Sequence, residues 1–200
     1  MLQVVDNKPG LRERKKARTR TSIQEQALRL FREQGYAETT VEEVAEAADV
    51  SPTTVYRYFP TKPDLVIYDE LDEPMMAALR SQPRELSAVQ AIRAAVTGGF
   101  GATLGPELEM QRLRAELIRD EPELRAAMLD EFIRSLRMIA VTIGERAGGT
   151  ADPDDVLALS GAVLGVTMAA WLASEGDGWI ERFLERLDHG MALLETGFSL

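Results

Sequence analysis

The chain has 200 residues, enough for one or two domains at the usual ~100–200 residues each and for a substantial apolar core. It holds no cysteine and one histidine, His189, which excludes disulfides, thiolate metal sites and a cysteine nucleophile and leaves any histidine-based chemistry to a single residue. Thirty-three acidic against 23 basic residues give a formal net charge of −10, which taken whole argues against a nucleic-acid partner.

No stretch alternates apolar and polar residues long enough for a strand, so the expected fold class is all-α. In the first helix Ile23, Ala27, Leu30 and Phe31 make one face, and Gly35 follows as a stop. Thr40 and Glu43 form a capping box that opens a second helix with Val41, Val44, Ala45 and Ala48 inward. After Ala48-Asp49-Val50, Ser51 is an N-cap and Pro52 the first residue of a short third helix that ends near Phe59-Pro60. Thr61 with Asp64 caps a fourth, running to about Ser81.

Proline and glycine punctuate the remainder into five more helices, about nine in all. The expected starts are Arg84-Glu85, Gly105-Pro106, Glu121-Pro122, Asp152-Pro153 and Gly178-Trp179. Ile180, Leu184, Leu187, Met191, Leu194 and Phe198 form a heptad-like seam on the last helix, too short for an independent coiled coil. Val156–Ala173 is 18 residues without a charge, but acidic flanks and interspersed Ser160, Gly161, Gly165 and Thr167 favour burial between helices over a membrane span. The N-terminus shows no apolar run like a signal peptide, which places the protein in the cytoplasm.

Split along the chain, the charge is asymmetric. Residues 1–63 hold 11 basic and 9 acidic residues, residues 64–200 hold 12 and 24. Nine of the basic residues fall within residues 8–32, against two acids, Glu13 and Glu25. This is the pattern of a polyanion-binding head on an acidic body. In that head the second and third helices, joined by a tight turn, read as a helix-turn-helix. Asp49 stands where the turn wants a residue tolerant of positive φ. With Val55 and Phe59 turned to the core, the opposite face of the third helix is Pro52, Thr53, Thr54, Tyr56, Arg57 and Tyr58: short, hydrogen-bonding and aromatic.

The run Thr39-Thr40-Val-Glu-Glu-Val-Ala-Glu-Ala-Ala-Asp-Val-Ser51-Pro-Thr-Thr-Val-Tyr56-Arg-Tyr58-Phe59-Pro-Thr-Lys62-Pro-Asp-Leu65, preceded by Ala27-Leu-Arg-Leu-Phe31-Arg-Glu-Gln-Gly35-Tyr36, resembles the DNA-binding domain of TetR-type (TetR/AcrR) transcriptional regulators over about residues 19–66. Asp49 departs from the family's usual glycine. The resemblance implies a three-helix DNA-reading domain, placed at 12–63, and a ligand-binding, dimerising domain, placed at 64–200; residues 1–11 are expected to be a disordered arm. It also implies that Thr40, Tyr56 and Lys62 meet phosphate. Thr53, Thr54, Arg57 and Tyr58 would face the major groove, with Ser51 and Pro52 opening the helix that carries them. The stretch Arg12–Arg20 follows the DNA backbone, enters the adjacent minor groove, or stays a disordered, weakly attracted arm. Arg112 to Met128 is similar to a branch with amphipathic, sometimes acyl-CoA-like, ligands.

In the second domain, apolar residues at helical spacing are the candidates for a ligand cavity. They are Met75, Met76 and Leu79; Phe100 and Leu104; Met110, Leu113 and Leu117; Met128, Phe132 and Met138; and Met168 and Trp171. Arg114 and Arg137 beside these faces could anchor an acidic ligand. The expected dimer interface pairs the small side of one helix, Ala158, Ala162, Gly165 and Ala169, with Leu184, Leu187, Met191 and Leu194 of the last helix. No catalytic constellation, metal set or cofactor motif emerges. The sequence thus reads as a homodimeric, cytoplasmic repressor that binds a near-palindromic DNA operator and is released by a small apolar or amphipathic effector. The alternative is a helical carrier or enzyme with an incidental basic N-terminus.

Overall fold

The computed structural model describes residues 10–68, 72–101, 106–176 and 178–197. Among these, regular structure is helical, in ten α-helices shared between two units. The first unit takes the chain up to Tyr68 together with Leu113–Leu124, and the second takes the rest. The expected disordered arm falls almost entirely outside the described residues. Helix α1 (Leu11–Gln34) contains the whole basic stretch Arg12–Arg20, so that stretch is helical.

Local chemistry explains the head. Gly35, at φ +95°, ends α1 and donates its amide to Phe31 O at 3.0 Å. Thr40 and Glu43 close the box that starts α2 (Val41–Ala47): Glu43 N donates to Thr40 Oγ1 at 3.2 Å and Thr40 N to a Glu43 carboxylate oxygen at 2.7 Å. Asp49 takes φ +54°, and Val50 N donates back to Ala45 O at 2.9 Å, which closes the turn. Ser51 Oγ accepts from Thr54 N to open α3 (Pro52–Tyr58). Ile23, Ala27, Phe31, Val44, Val55 and Phe59 are buried together with Leu65 and Val66 of α4 (Asp64–Ile67).

The long fourth helix expected to reach Ser81 is two helices. α4 ends at Ile67, and α5 (Asp72–Ser81) is separate. Pro74 gives the local reason, since a helix continued through it would lose the bond to residue 70 and clash with that carbonyl. Tertiary structure supplies the stop. Gln24 donates to Leu65 O (3.2 Å) and Tyr68 O (2.8 Å). The buried Arg114 donates to Val66 O (2.7 Å), Ile67 O (2.9 Å) and Tyr68 O (2.6 Å). A cation at the negative end of a helix, bonded to its orphan carbonyls, does the work of a C-terminal glycine. Arg114 is therefore a helix cap and not the ligand anchor that its sequence position suggested.

The second unit contains α5, α6 (Ala88–Gly101), most of α8 (Pro122–Arg146), α9 (Pro153–Leu172) and α10 (Trp179–Thr196), with the first half of α7 (Pro106–Asp120). The proline- and glycine-marked starts of α7, α8, α9 and α10 agree with the sequence reading. α6 starts later than expected because Ser87 and Gln90 form a second capping box, each donating its backbone amide to the other's side chain at 3.1 Å. Arg146 repeats the device of Arg114, donating to Leu79 O, Gln82 O and Pro83 O at the end of α5. α10 packs on α9 and α6. A Cβ at Gly190 would collide with Val166, so the glycine sets the close approach of α9 and α10.

Two outcomes test this account. Asp49→Gly relieves a left-handed residue at an exposed position and should stabilise the protein by about 0.5–1 kcal/mol in urea unfolding. Arg114→Met leaves the carbonyls of Val66 and Ile67 without their donor, while Tyr68 O keeps Gln24, and should cost about 2–3 kcal/mol in the same measurement.

Candidate functional site

The outer face of α3 is open. Pro52, Thr53, Tyr56 and Arg57 are exposed, Thr54 and Tyr58 half-buried. Tyr56, 47% exposed, is free of the core packing that is an aromatic residue's ordinary role. Beside this face the N-terminal turns of α1 supply Arg12, Lys15, Lys16 and Thr19, which with Val50, Thr54, Arg57 and Tyr58 line a groove of about 650 Å³. Four cations thus share one concavity with the exposed helix, a shape and charge suited to a phosphate backbone. Tyr58 lies between two of the head's arginines, its ring centroid 5.4 Å from the Arg57 guanidinium carbon and 5.8 Å from that of Arg20.

The residues assigned to phosphate divide into two kinds. Thr40 donates both its amide and its hydroxyl to Glu43, at 2.7 and 2.8 Å, and these bonds hold the Glu43 carboxyl below its ordinary range. Its first role is to start α2. Lys62 is seated on the head, its ammonium 4.3 Å from the centroid of Tyr36 and donating to Ala37 O at 3.4 Å. Burial and the neighbouring Glu123 carboxylate push the Tyr36 phenol well above its usual range, so the ring under Lys62 stays neutral. The exposed Lys15 and Lys16 on α1, treated by the sequence only as part of a basic run, sit closer to the reading face.

The second unit holds a partly open cavity of about 220 Å³ between α5, α6, α8, α9 and α10. Of the spacing-nominated residues, Met75, Met76, Leu79 and Met138 stand in its wall, joined by residues not nominated, among them Ile92, Ala95, Leu164 and Phe183. Leu113 and Leu117 belong to the first unit instead, and Met110, Met128, Phe132, Met168 and Trp171 are not in the wall. Phe100 lies at the end of α6, where its side chain is not described, and Leu104 lies outside the described residues. Arg137 and His189 are exposed and line no part of it. Helical spacing marks every apolar face alike, and only the packing tells which face borders empty space.

A second cavity, also about 220 Å³, shares Val96, Leu187 and Met191 with the first and ends at Arg93 and Asp188. These two form a two-point ion pair between α6 and α10, Nε to Oδ1 and Nη2 to Oδ2, the latter at 2.6 Å. The pair holds Asp188 below and Arg93 above their ordinary ranges, so both are charged. Leu187 and Met191, expected at a dimer interface, are buried in the protomer at 3% and 1% exposure and face these cavities. Leu184 and Leu194 are half-buried, and Phe198 is outside the described residues. On α9, Ala158, Gly165 and Ala169 are exposed and Ala162 half-buried, with Leu157 and Leu172 exposed beside them. The helix expected to be buried between others has only 17% of its apolar window covered by this chain, and by length and composition it could cross a membrane. Among the described residues no group of three or more His, Cys, Asp or Glu side chains is placed to hold a metal ion.

Comparison with known proteins agrees with this geometry. The family model for bacterial regulatory proteins of the tetR family matches residues 23–68, and that for the MftR C-terminal domain matches residues 86–199. The transcriptional regulator TcmR of Streptomyces glaucescens is 35% identical over 155 residues, 74% of this chain and 69% of that protein. SmeT solved as a complex with triclosan aligns with TM-score 0.53 at 25% identity, covering 87% of this chain and 90% of its own. FadR of Thermus thermophilus, a repressor solved with lauroyl-CoA, shares the fold with TM-score 0.55 at 20% identity, over 90% and 95% of the two chains. The helix-turn-helix and the basic groove beside it agree with these matches, which settle the family: the chain belongs to the TetR family of bacterial transcriptional regulators.

Proposed function

We propose that the chain is a cytoplasmic repressor that binds a near-palindromic operator as a homodimer and leaves it when a small effector fills the second unit. The observation that carries the reading is the continuity of the exposed polar face of α3 with the cationic groove of α1. Arg57, Thr53 and Thr54 read base edges in the major groove, while Lys15, Lys16 and Arg12 neutralise flanking phosphates. Tyr56 and Lys62 add phosphate contacts at the edges of the head. A small-molecule carrier would need neither the open donor face nor the clustered charge. The apolar cavity of the second unit, together with the likeness to triclosan-bound SmeT, supports a small-molecule effector.

The second copy covers α9. Its stripe of Ala158, Ala162, Gly165, Ala169 and Leu172, exposed except for the half-buried Ala162, runs 4, 3, 4, 3, a nearly flat apolar strip on which two helices can approach closely, and pairing by twofold symmetry removes it from water. This accounts for an apolar helix with acidic flanks better than a membrane does. The same symmetry presents two reading helices to successive major grooves.

Selection of binding sites from a random DNA library should return an inverted repeat, and a direct repeat or no consensus would overturn the reading. Arg57→Ala should cost about 1–3 kcal/mol and relax preference at one position per half-site. Lys16→Ala should weaken all sequences alike and reduce the salt slope by about one per subunit. Gly165→Glu places a charge on the strip of α9. It should sediment as a monomer at micromolar concentration where the unaltered chain sediments as a dimer, with operator affinity lowered in step.

A further inference from the structure

An effector cavity is informative about its ligand through what it lacks. The inner cavity is walled by aliphatic, aromatic and thioether side chains, and its polar contributors are the hydroxyls of Ser135 and Thr167. Both already donate, Thr167 Oγ1 to Val163 O at 2.9 Å and Ser135 Oγ to Glu131 at 3.4 Å, and so offer a ligand only acceptor lone pairs. Among the described residues, no charged side chain lines this chamber.

Among the described residues the outer cavity contains one cation and one anion, Arg93 and Asp188, and each is held by the other through two hydrogen bonds. An anionic ligand reaching Arg93 must displace Asp188 or lie beside its charge, and a cationic ligand meets the same difficulty at Arg93. An ionised group carried into the inner chamber would give up part of its water and, among the described residues, find no counter-charge, a penalty that a neutral group does not meet. Four methionines, Met75, Met76, Met138 and Met191, stand in the inner wall, and Met191 is common to both chambers. Thioether chains repack at small cost, so a cavity smaller than the ~300–1,000 Å³ of drug-sized sites can widen, or open toward Arg93, around an apolar body.

We infer that the group this cavity takes is uncharged: a hydrocarbon or aromatic body with at most a hydroxyl or amide donor for Ser135 or Thr167, and with carboxylate and ammonium forms rejected. This rests on the effector reading above and narrows it to a chemical class.

The test is calorimetric titration of the full chain at about pH 7.5, where carboxylates are ionised. The probes are 4-phenyl-1-butanol and 4-phenylbutyrate, which share an apolar body and differ in charge. The alcohol should bind at least about tenfold more tightly than the acid. Asp188→Asn, which removes the carboxylate that matches Arg93, should narrow that gap to within about threefold by admitting the acid. Equal or tighter binding of the acid to the unaltered chain, no binding of the alcohol, or an unchanged gap in Asp188→Asn would each overturn the inference. Operator affinity measured with each probe separates the two claims. An alcohol that binds without releasing DNA defeats the effector reading and leaves the cavity's selectivity standing, whereas an acid that binds and releases DNA does the reverse.

Discussion

A helix that stops without glycine leaves its last carbonyls to be satisfied by something else, and in this protein arginine side chains distant in sequence do it. Arg114 of α7 and Gln24 of α1 together take the carbonyls of residues 65–68, so that α4 is only one turn long. Arg146 of α8 does the same for the end of α5. Buried carbonyls must be bonded, and a guanidinium presents several donors in a rigid fork, so each arginine ties one helix end to another helix. This explains why Leu113–Leu124 belongs to the same unit as a head that ends at Tyr68. The head is made of two separated pieces of chain, and Arg114 contributes the bonds between them.

Given that anchoring, the reading face follows from short-range chemistry. The Thr40–Glu43 box and the Ser51 cap set where α2 and α3 begin, and Asp49 in the left-handed region sets the turn between them. Burial of Val55 and Phe59 then turns Arg57, Tyr56 and Thr53 outward. Because α1 is helical from Leu11, the basic run is a rigid extension of this face and not a tether, which makes its charges part of the groove's geometry. A basic arm on a flexible chain would lose conformational entropy on meeting DNA, and a helix has already lost it.

In the second unit two neighbouring helices turn their apolar residues to different surroundings. Leu187 and Met191 of α10 face inward and bound the cavities, while the outer side of α9 carries small and aliphatic residues that this chain leaves uncovered. Gly190 allows α9 and α10 to cross closely, which sets Val166 against the glycine and places Leu187 and Met191 beside Val163 and Leu164 in the cavity wall. The Arg93–Asp188 pair then fastens α6 to the same helix. Surface ion pairs add little stability. Its consequence lies in what it does to the charge of the chamber that it closes.

The sequence by itself determined the all-helical class, the helix-turn-helix, the caps at Thr40, Ser51 and Asp152, most helix starts and the exposed face of α3. All of these rest on residues within about four positions of one another, where hydrogen bonds and apolar periodicity act locally. It also showed the charge asymmetry, which is a matter of composition. Tertiary structure alone decided that the fourth helix breaks after Ile67, that Arg114 is a cap, that Leu187 and Met191 face inward, and which methionines border empty space. Those outcomes depend on groups far apart in the chain meeting across a packed interior. Helical spacing says which side of a helix is apolar, but the neighbours decide whether that side meets core, cavity or a second molecule.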